Sequence, residues 1–161
     1  MTNLYYPHKK EGTPMIRQAT PNDLNALTTL VLALWPHHEF DEMAQDLSET
    51  LQNPEAAFFL AFDGEQPIGF AQCQLRHDYV EGTDSSPVGY LEGIYVAEPH
   101  RKQGVARSLL AACESWAQTK GCTEFASDCE LTNEESLRFH LRMGFLEANR
   151  IICFTKNLGG K

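Results

Sequence analysis

The sequence predicts an α/β domain with a mixed central sheet flanked by about four helices. Short apolar or alternating runs that are typical of strands are interleaved with segments whose apolar residues recur at helical spacing. Their order, β-α-α-β-β-β-α-β-α-β, places helices directly after strands, which favours helices packed on the faces of one sheet. The chain has 161 residues, of which 42% are hydrophobic and 22% are charged. That size and composition predict one domain with a single sizeable core.

The first predicted elements are a strand and two helices. Residues 15–19 alternate and predict the strand. The next four residues, Thr-Pro-Asn-Asp, combine an N-cap residue, a proline and an acid, a pattern typical of a helix start. Helical spacing continues this helix to Pro36. A second helix is predicted from Phe40 to Leu51, before the helix-ending pair Asn53-Pro54.

The rest of the chain contributes the central strands and two more helices. Residues 56–62 and 67–75 predict two strands joined by the turn Asp63-Gly64, and residues 89–96 predict a third strand. The remaining predicted elements are a helix over 105–120, a strand over 123–129, a helix over 133–143 and a last extended segment over 145–155.

The first 14 residues are polar, so we interpret residues 1–14 as a loose extension of a domain formed by residues 15–161. An edge strand or a partner-binding arm is the alternative. Nothing in this segment resembles a signal peptide, and no run approaches the ~20 apolar residues that cross a bilayer. The five cysteines include no C-x-x-C pair. Reduced thiols in a cytoplasmic protein, about four of them in the core, are therefore favoured over disulfides or a metal site.

The net charge of −9 arises from 22 acidic and 13 basic residues. It disfavours nucleic acid as a partner, because phosphate chains bind basic surfaces. A cationic substrate would be attracted instead. Acidity alone is common among soluble proteins, so this signal matters only if the acids gather around a site.

The turn formed by residues 101–106, Arg-Lys-Gln-Gly-Val-Ala, lies between a predicted strand and an amphipathic helix. The first turn of a helix leaves backbone N–H groups without partners, and its dipole favours an anion. Gly104 lets the backbone approach a ligand, and the two basic side chains can neutralise phosphate. The spacing matches neither G-x-x-x-x-G-K-[ST] nor G-x-G-x-x-G. An ordinary helix start with exposed basic residues is the alternative.

The motif R-x-x-G-x-A at this junction resembles the acetyl-CoA signature of the GCN5-related N-acetyltransferases (GNAT), and the element order agrees from Met15 onward. The resemblance implies the acyl-CoA N-acyltransferase fold with a splayed sheet, and acetyl-CoA as co-substrate without a metal. It implies that the amides of the turn bind the pyrophosphate and that the preceding strand pairs with the pantetheine arm. Asn133 is a cofactor contact, a helix cap, or both. The implied cofactor-binding residues are Ile94, Tyr95, Val96, Arg101, Lys102, Gln103, Gly104, Val105, Ala106, Arg107 and Asn133.

Glu92 is the one ionised residue in the apolar strand 89–96. A carboxylate there is costly unless it is paired, solvated or useful. Amine acetylation gives it a use, because an alkylammonium group with a pKa of about 10 must lose a proton before it attacks a thioester. We therefore interpret Glu92 as the general base, with a structural salt bridge as the alternative. Gly89 and Gly93 would allow the strand to bulge beside it.

Many family members place a tyrosine four residues before the Gly-Phe that follows the last helix, and that position is His140 here. Histidine can donate a proton near neutral pH, so the resemblance implies His140 as the acid that protonates the leaving thiolate. A thiol with a pKa of about 8.5 can also leave unaided. No cysteine has a local basic partner that would mark a nucleophile, so direct transfer is predicted.

Four further segments, residues 35–39, 78–83, 86–93 and 125–128, resemble the aminoglycoside 6'-N-acetyltransferases of this superfamily. The resemblance implies acetyl transfer to the 6'-amine of an aminoglycoside, which confers antibiotic resistance. It also implies a homodimer. Carboxylates and aromatic faces suit a polycation built of sugar rings. Each residue of the implied pocket also has a structural use, such as bracing a strand end. The implied acceptor residues are Trp35, His38, Tyr79, Glu92 and Asp128.

Asn149 departs from this pattern. Some close members carry an acidic residue immediately before the arginine that corresponds to Arg150. Asn149 stands in place of that acid here, which bears on the substrate range rather than on the reaction. Two alternatives stay open. One is an acetyltransferase for another amine, such as a polyamine or a peptide N-terminus. The other is a non-catalytic acetyl-CoA-binding module, against which Glu92 argues, since a sensor needs no base.

Overall fold

The structure, a computed structural model, describes residues 13–160. Its strands are β1 (Met15–Gln18), β2 (Ala56–Asp63), β3 (Gln66–Arg76), β4 (Val88–Val96) and β5 (Phe125–Ser127). Its helices are α1 (Leu24–Leu34), α2 (Phe40–Leu51), α3 (Val105–Thr119) and α4 (Glu134–Arg142). The strands form one sheet in chain order, antiparallel apart from the parallel pair β4 and β5. Over these residues the predicted mixed sheet with four helices is confirmed.

The sheet is covered on both faces, so the central strand β2 is buried along almost its whole length. Successive residues of a strand point to opposite faces, and β2 therefore supplies two cores. The core under α1 and α2 contains Leu27, Val31, Leu47, Phe58, Leu60 and Phe70. The core under α3 contains Ala57, Phe59, Ala71, Cys73, Leu109 and Cys113.

Asp23 fixes the turn between β1 and α1. Its carboxylate accepts hydrogen bonds from Arg17 at 2.7 and 2.8 Å and from the backbone N–H of Thr20 at 2.8 Å. The Arg17 guanidinium holds the pKa of Asp23 well below its usual range, because charge-assisted hydrogen bonds favour the ionised carboxylate. The predicted helix start is confirmed, with its first turn, Pro21–Asp23, in 3₁₀ geometry.

The strand β4 carries the irregularities that create the opening in the sheet. Its register with β3 shifts so that Gln72 faces Gly93 while Cys73 faces Leu91, which leaves Glu92 as the extra residue of a β-bulge. On its other side β4 pairs with β5 only over residues 89–91. The two strands separate beyond that point. The predicted bulge and the implied splay of the sheet are both present.

The extended segment predicted over residues 145–155 forms no strand among the described residues. Phe145 is half-buried and packs on the core beneath α3, whereas the apolar side chains beyond it are exposed, and their pattern alone does not reveal a partner. The most exposed in the segment are Leu146, Ile151, Ile152 and Phe154, at 65–91%, and Leu158 beyond it is 87% exposed.

The prediction of about four core cysteines was wrong, since three are buried, namely Cys73, Cys113 and Cys122. Cys129 and Cys153 are exposed because they lie beyond the ends of the packed elements. Burial raises the pKa of the Cys122 thiol. Most of the predicted N-terminal extension, residues 1–12, lies outside the described residues. Within residues 13–160, no helix has both the length and the apolarity needed to span a membrane.

Candidate active site

A cleft of about 830 Å³ opens where β4 and β5 separate. Its walls are residues 92–96 of β4, the turn that begins α3, the residues that follow β5, and one face of α4. Basic side chains lie mainly at the turn and acidic side chains mainly beside the strands. The charge of the lining therefore differs between these two parts of the cleft. The basic group at the turn is Arg101, Lys102 and Arg107, and the acidic group at the strands is Glu92 and Asp128. The helix α4 adds one charge of each sign, Glu135 and Arg142.

The turn before α3 presents six consecutive free backbone N–H groups. Within the described part of the chain, the N–H groups of residues 102–107 donate to no acceptor, and Ser108 is the first to bond back, to the Gly104 carbonyl at 3.1 Å. Both Lys102 (φ 61°) and Gly104 (φ 81°) adopt left-handed backbone, which is uncommon for lysine and is often found at functional sites. Free N–H groups at the positive end of a helix dipole fit the pyrophosphate of acetyl-CoA.

Arg101 joins this turn to the strand before it. Its Nε donates to the Val96 carbonyl at 2.8 Å, and its guanidinium carbon lies 5.8 Å from the centre of the Tyr95 ring. All of the implied cofactor-binding residues border the cleft except Gln103, whose side chain donates back to the Pro99 carbonyl at 3.2 Å. The backbone N–H is therefore the group that Gln103 leaves available to a ligand.

Asn133 caps α4, with its Oδ1 accepting from the Ser136 N–H at 3.0 Å. The residue also borders the cleft. The cap is therefore present, and the side-chain NH₂ remains for a ligand, so its contact with the cofactor stays a prediction.

Glu92 is engaged in a salt bridge with Arg76, which sequence reasoning missed. Arg76 Nη2 lies 2.9 and 3.1 Å from the two carboxylate oxygens, and Nε lies 3.2 Å from Oε1. The guanidinium also lies 3.4 Å from the centre of the Tyr90 ring, and the Tyr90 hydroxyl donates to Asp128 at 2.6 Å. Burial first, and then the bond to Asp128, raises the pKa of Tyr90, so its hydroxyl stays a donor. The salt bridge that was the structural alternative for Glu92 is thus present, and Glu92 also borders the cleft.

Both ring nitrogens of His140 have partners. Nδ1 lies 2.7 Å from the Ser136 carbonyl oxygen, and Nε2 lies 2.8 Å from the Ser127 hydroxyl. The ring also packs edge-on against Phe139 and Phe145. His140 borders the cleft, but Nε2, the nitrogen that would serve as the acid, is hydrogen-bonded to Ser127.

The structure brings three of the five implied acceptor residues to the cleft: Trp35, Glu92 and Asp128. A Cβ atom at Gly93 would lie 2.8 Å from the Trp35 ring, so glycine there permits the close approach of the indole to the strand. His38 and Tyr79 are exposed and lie outside the cleft. Tyr79 donates to Glu81 at 2.8 Å.

The residues around Asn149 are engaged with one another rather than with the cleft. Asn149 donates to Glu81 at 3.4 Å, and Glu147 is paired with Arg150. The hydrogen bond from Arg150 lowers the pKa of Glu147.

The sequence and the fold agree with those of known proteins. The model of the acetyltransferase (GNAT) family matches residues 22–145, and the chain belongs to this family of acetyl-CoA-dependent N-acetyltransferases. The aminoglycoside N(6')-acetyltransferase type 1 of Stenotrophomonas maltophilia is 46% identical over 145 residues, which cover 89% of this chain and 93% of the relative. Its namesake from Salmonella typhimurium strain LT2 is 43% identical over 141 residues, covering 88% and 97%.

Solved structures of aminoglycoside 6'-N-acetyltransferases are also similar to this chain. The structure of AAC(6')-Iy in complex with the bisubstrate analogue CoA-S-monomethyl-acetylneamine has a TM-score of 0.87 and 42% identity, with 91% of this chain and 99% of that chain covered. The structure of AAC(6')-Ih from Acinetobacter baumannii has a TM-score of 0.87 at 36% identity, with 91% and 100% covered.

The substitution Gly104→Ala is expected to weaken CoA binding about tenfold. Alanine in left-handed backbone costs roughly 1–2 kcal/mol, and about 1.4 kcal/mol corresponds to a factor of ten in Kd. The turn should therefore relax away from the shape that aims its N–H groups at one point. Isothermal titration calorimetry with CoA measures the change.

The matched control is Gly121→Ala. Gly121 ends α3 with φ 88°, and an added Cβ would meet no atom within 4 Å, as at Gly104. The control should lower thermal stability and leave the Kd for CoA unchanged. Equal loss of affinity in the two variants would show that strain, and not the turn's contacts, is responsible.

Proposed function

We propose that this enzyme transfers the acetyl group of acetyl-CoA directly to the 6'-amine of an aminoglycoside. One observation carries the proposal: a single cleft offers phosphate-binding N–H groups at one end and, at the other, a bulged Glu92 beside Asp128 and Trp35. The first group suits the cofactor and the second suits a polycationic sugar. The similarity to aminoglycoside N(6')-acetyltransferases of type 1 supports the same substrate class.

The two substrates would meet at the bulge. With the pyrophosphate on residues 102–107, the pantetheine arm would run along residues 92–96, whose second edge is unpaired because β5 has diverged. The thioester would then come close to Glu92. An acceptor entering from the acidic end would bring its ammonium group to the same place, as direct transfer requires.

Glu92 would accept the proton of the acceptor ammonium, directly or through a water. Its oxygens are occupied by Arg76 in the free enzyme, and the Arg76 side chain is 39% exposed. An arriving ammonium would compete with Arg76 for one carboxylate oxygen. The freed amine then attacks the carbonyl carbon, the C–S bond breaks, and the new amide nitrogen loses its extra proton to Glu92 or to water.

We also propose a cytoplasmic homodimer. Acetyl-CoA is available in the cytoplasm, where thiols such as the exposed Cys129 and Cys153 stay reduced. Residues 146–160 are exposed and rich in apolar side chains, while β5 pairs, among the described residues, only with β4. A second copy would cover the segment and extend the sheet. The net charge of −9 argues against nucleic acid and anionic membranes as partners.

The variant Ile152→Asp/Phe154→Asp tests the dimer. Both side chains are exposed, at 78% and 90%, so charge there should abolish pairing without disturbing the core. Light scattering after size-exclusion chromatography should report a dimer for the wild type and a folded monomer for the variant. A monomeric wild type would contradict this part of the proposal.

Matched aminoglycosides test the substrate and the position of acetylation. Neomycin and paromomycin differ in carrying an amine or a hydroxyl at the 6' carbon. Thiol release from acetyl-CoA should be rapid with neomycin and kanamycin and at least about 10²-fold slower with paromomycin, because a neutral hydroxyl is the weaker nucleophile. Faster release with spermidine or with a peptide N-terminus would reject the aminoglycoside and leave the acetyltransferase chemistry intact.

The substitution Glu92→Gln should lower kcat for the best aminoglycoside about 10²- to 10³-fold, because general-base catalysis contributes roughly 10²–10⁴-fold. The Kd for CoA should change little. Steady-state kinetics and calorimetry measure the two quantities.

Asp23→Asn is the control for the loss of an arginine-paired carboxylate. Asp23 is paired with Arg17 through two hydrogen bonds, as Glu92 is with Arg76 through three, and Asp23 lies outside the cleft. This variant should lose stability and keep its kcat. If Glu92→Gln also kept its kcat, Glu92 would be a structural residue only.

A further inference from the structure

Ser127 lies at the point where β5 leaves β4. It is the last residue paired between these strands, opposite Leu91, which directly precedes Glu92. Its hydroxyl lies 3.2 Å from the Leu91 carbonyl oxygen and 2.8 Å from Nε2 of His140. Both Ser127 and His140 border the cleft. A hydroxyl therefore stands at the narrow end of the cleft, beside the bulge that carries Glu92.

The partners of His140 assign its protons. The Ser136 hydroxyl lies 3.3 Å from Nδ1, but the Ser136 carbonyl oxygen is nearer, at 2.7 Å, and only accepts, so we assign the Nδ1 hydrogen to that carbonyl. When the ring is neutral, Nε2 is bare and accepts the Ser127 proton. When the ring is protonated, Nε2 donates to the Ser127 oxygen, which frees the serine proton for another acceptor. The two arrangements differ by one proton taken up from solvent and by a rotation of the serine hydroxyl.

We propose that Ser127 protonates the leaving CoA thiolate and that His140 resupplies the proton. The inference rests on the proposed acetyl transfer, but not on which amine receives the acetyl group. It also revises the part assigned to His140: both ring nitrogens are occupied, so the imidazole acts through the serine as a positioning and proton-supplying residue.

The step balances as follows. The C–S bond breaks with its electron pair on sulfur, the Ser127 O–H proton passes to sulfur, and the Nε2–H proton of the imidazolium passes to the serine oxygen. His140 ends neutral and takes a proton from solvent. The ammonium nitrogen loses two protons as it becomes an amide nitrogen: the first passes to Glu92 before the attack and then to solvent, and the second leaves by the same route after the C–N bond has formed. CoA leaves as the thiol, and Ser127 is unchanged.

A serine beside a histidine whose other nitrogen is oriented by an acceptor can instead act as a nucleophile. That route would place the acetyl group on Ser127 before the amine arrives. It predicts an acetylated enzyme in the absence of an acceptor, whereas the relay predicts none.

The relay is tested with Ser127→Ala, Ser127→Thr and His140→Gln, using the amine that the wild type acetylates fastest. Ser127→Ala and His140→Gln should each lower kcat about 10²-fold, the low end for general-acid catalysis, with KM for acetyl-CoA and Kd for CoA changed less than about threefold. The double variant should be no slower than either single variant, because both remove one pathway. Ser127→Thr retains a hydroxyl and should recover most of the lost rate.

Thr119→Ala is the matched control, because its hydroxyl also donates to a backbone carbonyl, that of Trp116 at 2.6 Å, and lies outside the cleft. It should keep the wild-type kcat. The relay is overturned if Ser127→Ala binds CoA normally and keeps its kcat, or if acetyl-CoA alone adds an acetyl mass to the wild type. Acetylation of spermidine but not of neomycin would reject the aminoglycoside and leave the relay testable with spermidine. A wild type that acetylates no amine overturns both proposals.

Discussion

The divergence of β4 from β5 beyond Leu91 is the feature on which the rest of the site depends. Parallel pairing stops after three residue pairs, and a bulge at Glu92 turns the strand at the same point. Strand edges are normally satisfied by a neighbour, so an unpaired edge inside a fold requires a substitute partner. The segment that follows β4 starts α3, whose N–H groups therefore face the opening, and α4 forms the opposite wall. One interruption of the sheet thus creates a place for an extended, anionic cofactor.

The salt bridge between Glu92 and Arg76 reconciles two requirements. A carboxylate in a mostly buried strand needs a partner when no substrate is present, and breaking such a pair leaves a costly charge. Arg76 supplies that partner from β3 and rests on the Tyr90 ring, which is itself tied to Asp128. A cationic acceptor can replace the arginine at low net electrostatic cost, because one positive charge exchanges for another. Under the proposed function, the same network would favour cations over neutral acceptors.

Much of this could be predicted from the sequence, where the signals are local. Residues 101–106 predicted the cofactor turn through their resemblance to the R-x-x-G-x-A motif, and helix caps and apolar periodicity placed most elements within one or two residues. Contacts that depend on strand register could not be predicted from the sequence. Arg76 and Glu92 are 16 positions apart, and they meet only because β3 and β4 pair with a bulge. Ser127 and His140 belong to different elements and meet through packing. Exposure of Tyr79 and of residues 145–155 likewise depends on tertiary or quaternary partners, which an apolar or aromatic pattern does not specify.

A crystal structure of the enzyme with CoA and neomycin tests the shared cleft most directly. The pyrophosphate oxygens should lie about 3 Å from backbone nitrogens within residues 102–107, which is hydrogen-bond distance. The 6'-nitrogen should lie within about 4 Å of a Glu92 oxygen or be joined to it by one water, with Arg76 displaced from that oxygen. A pyrophosphate bound away from the turn, or an aminoglycoside held on the Tyr79 side with its 6'-amine remote from Glu92, would contradict the shared cleft.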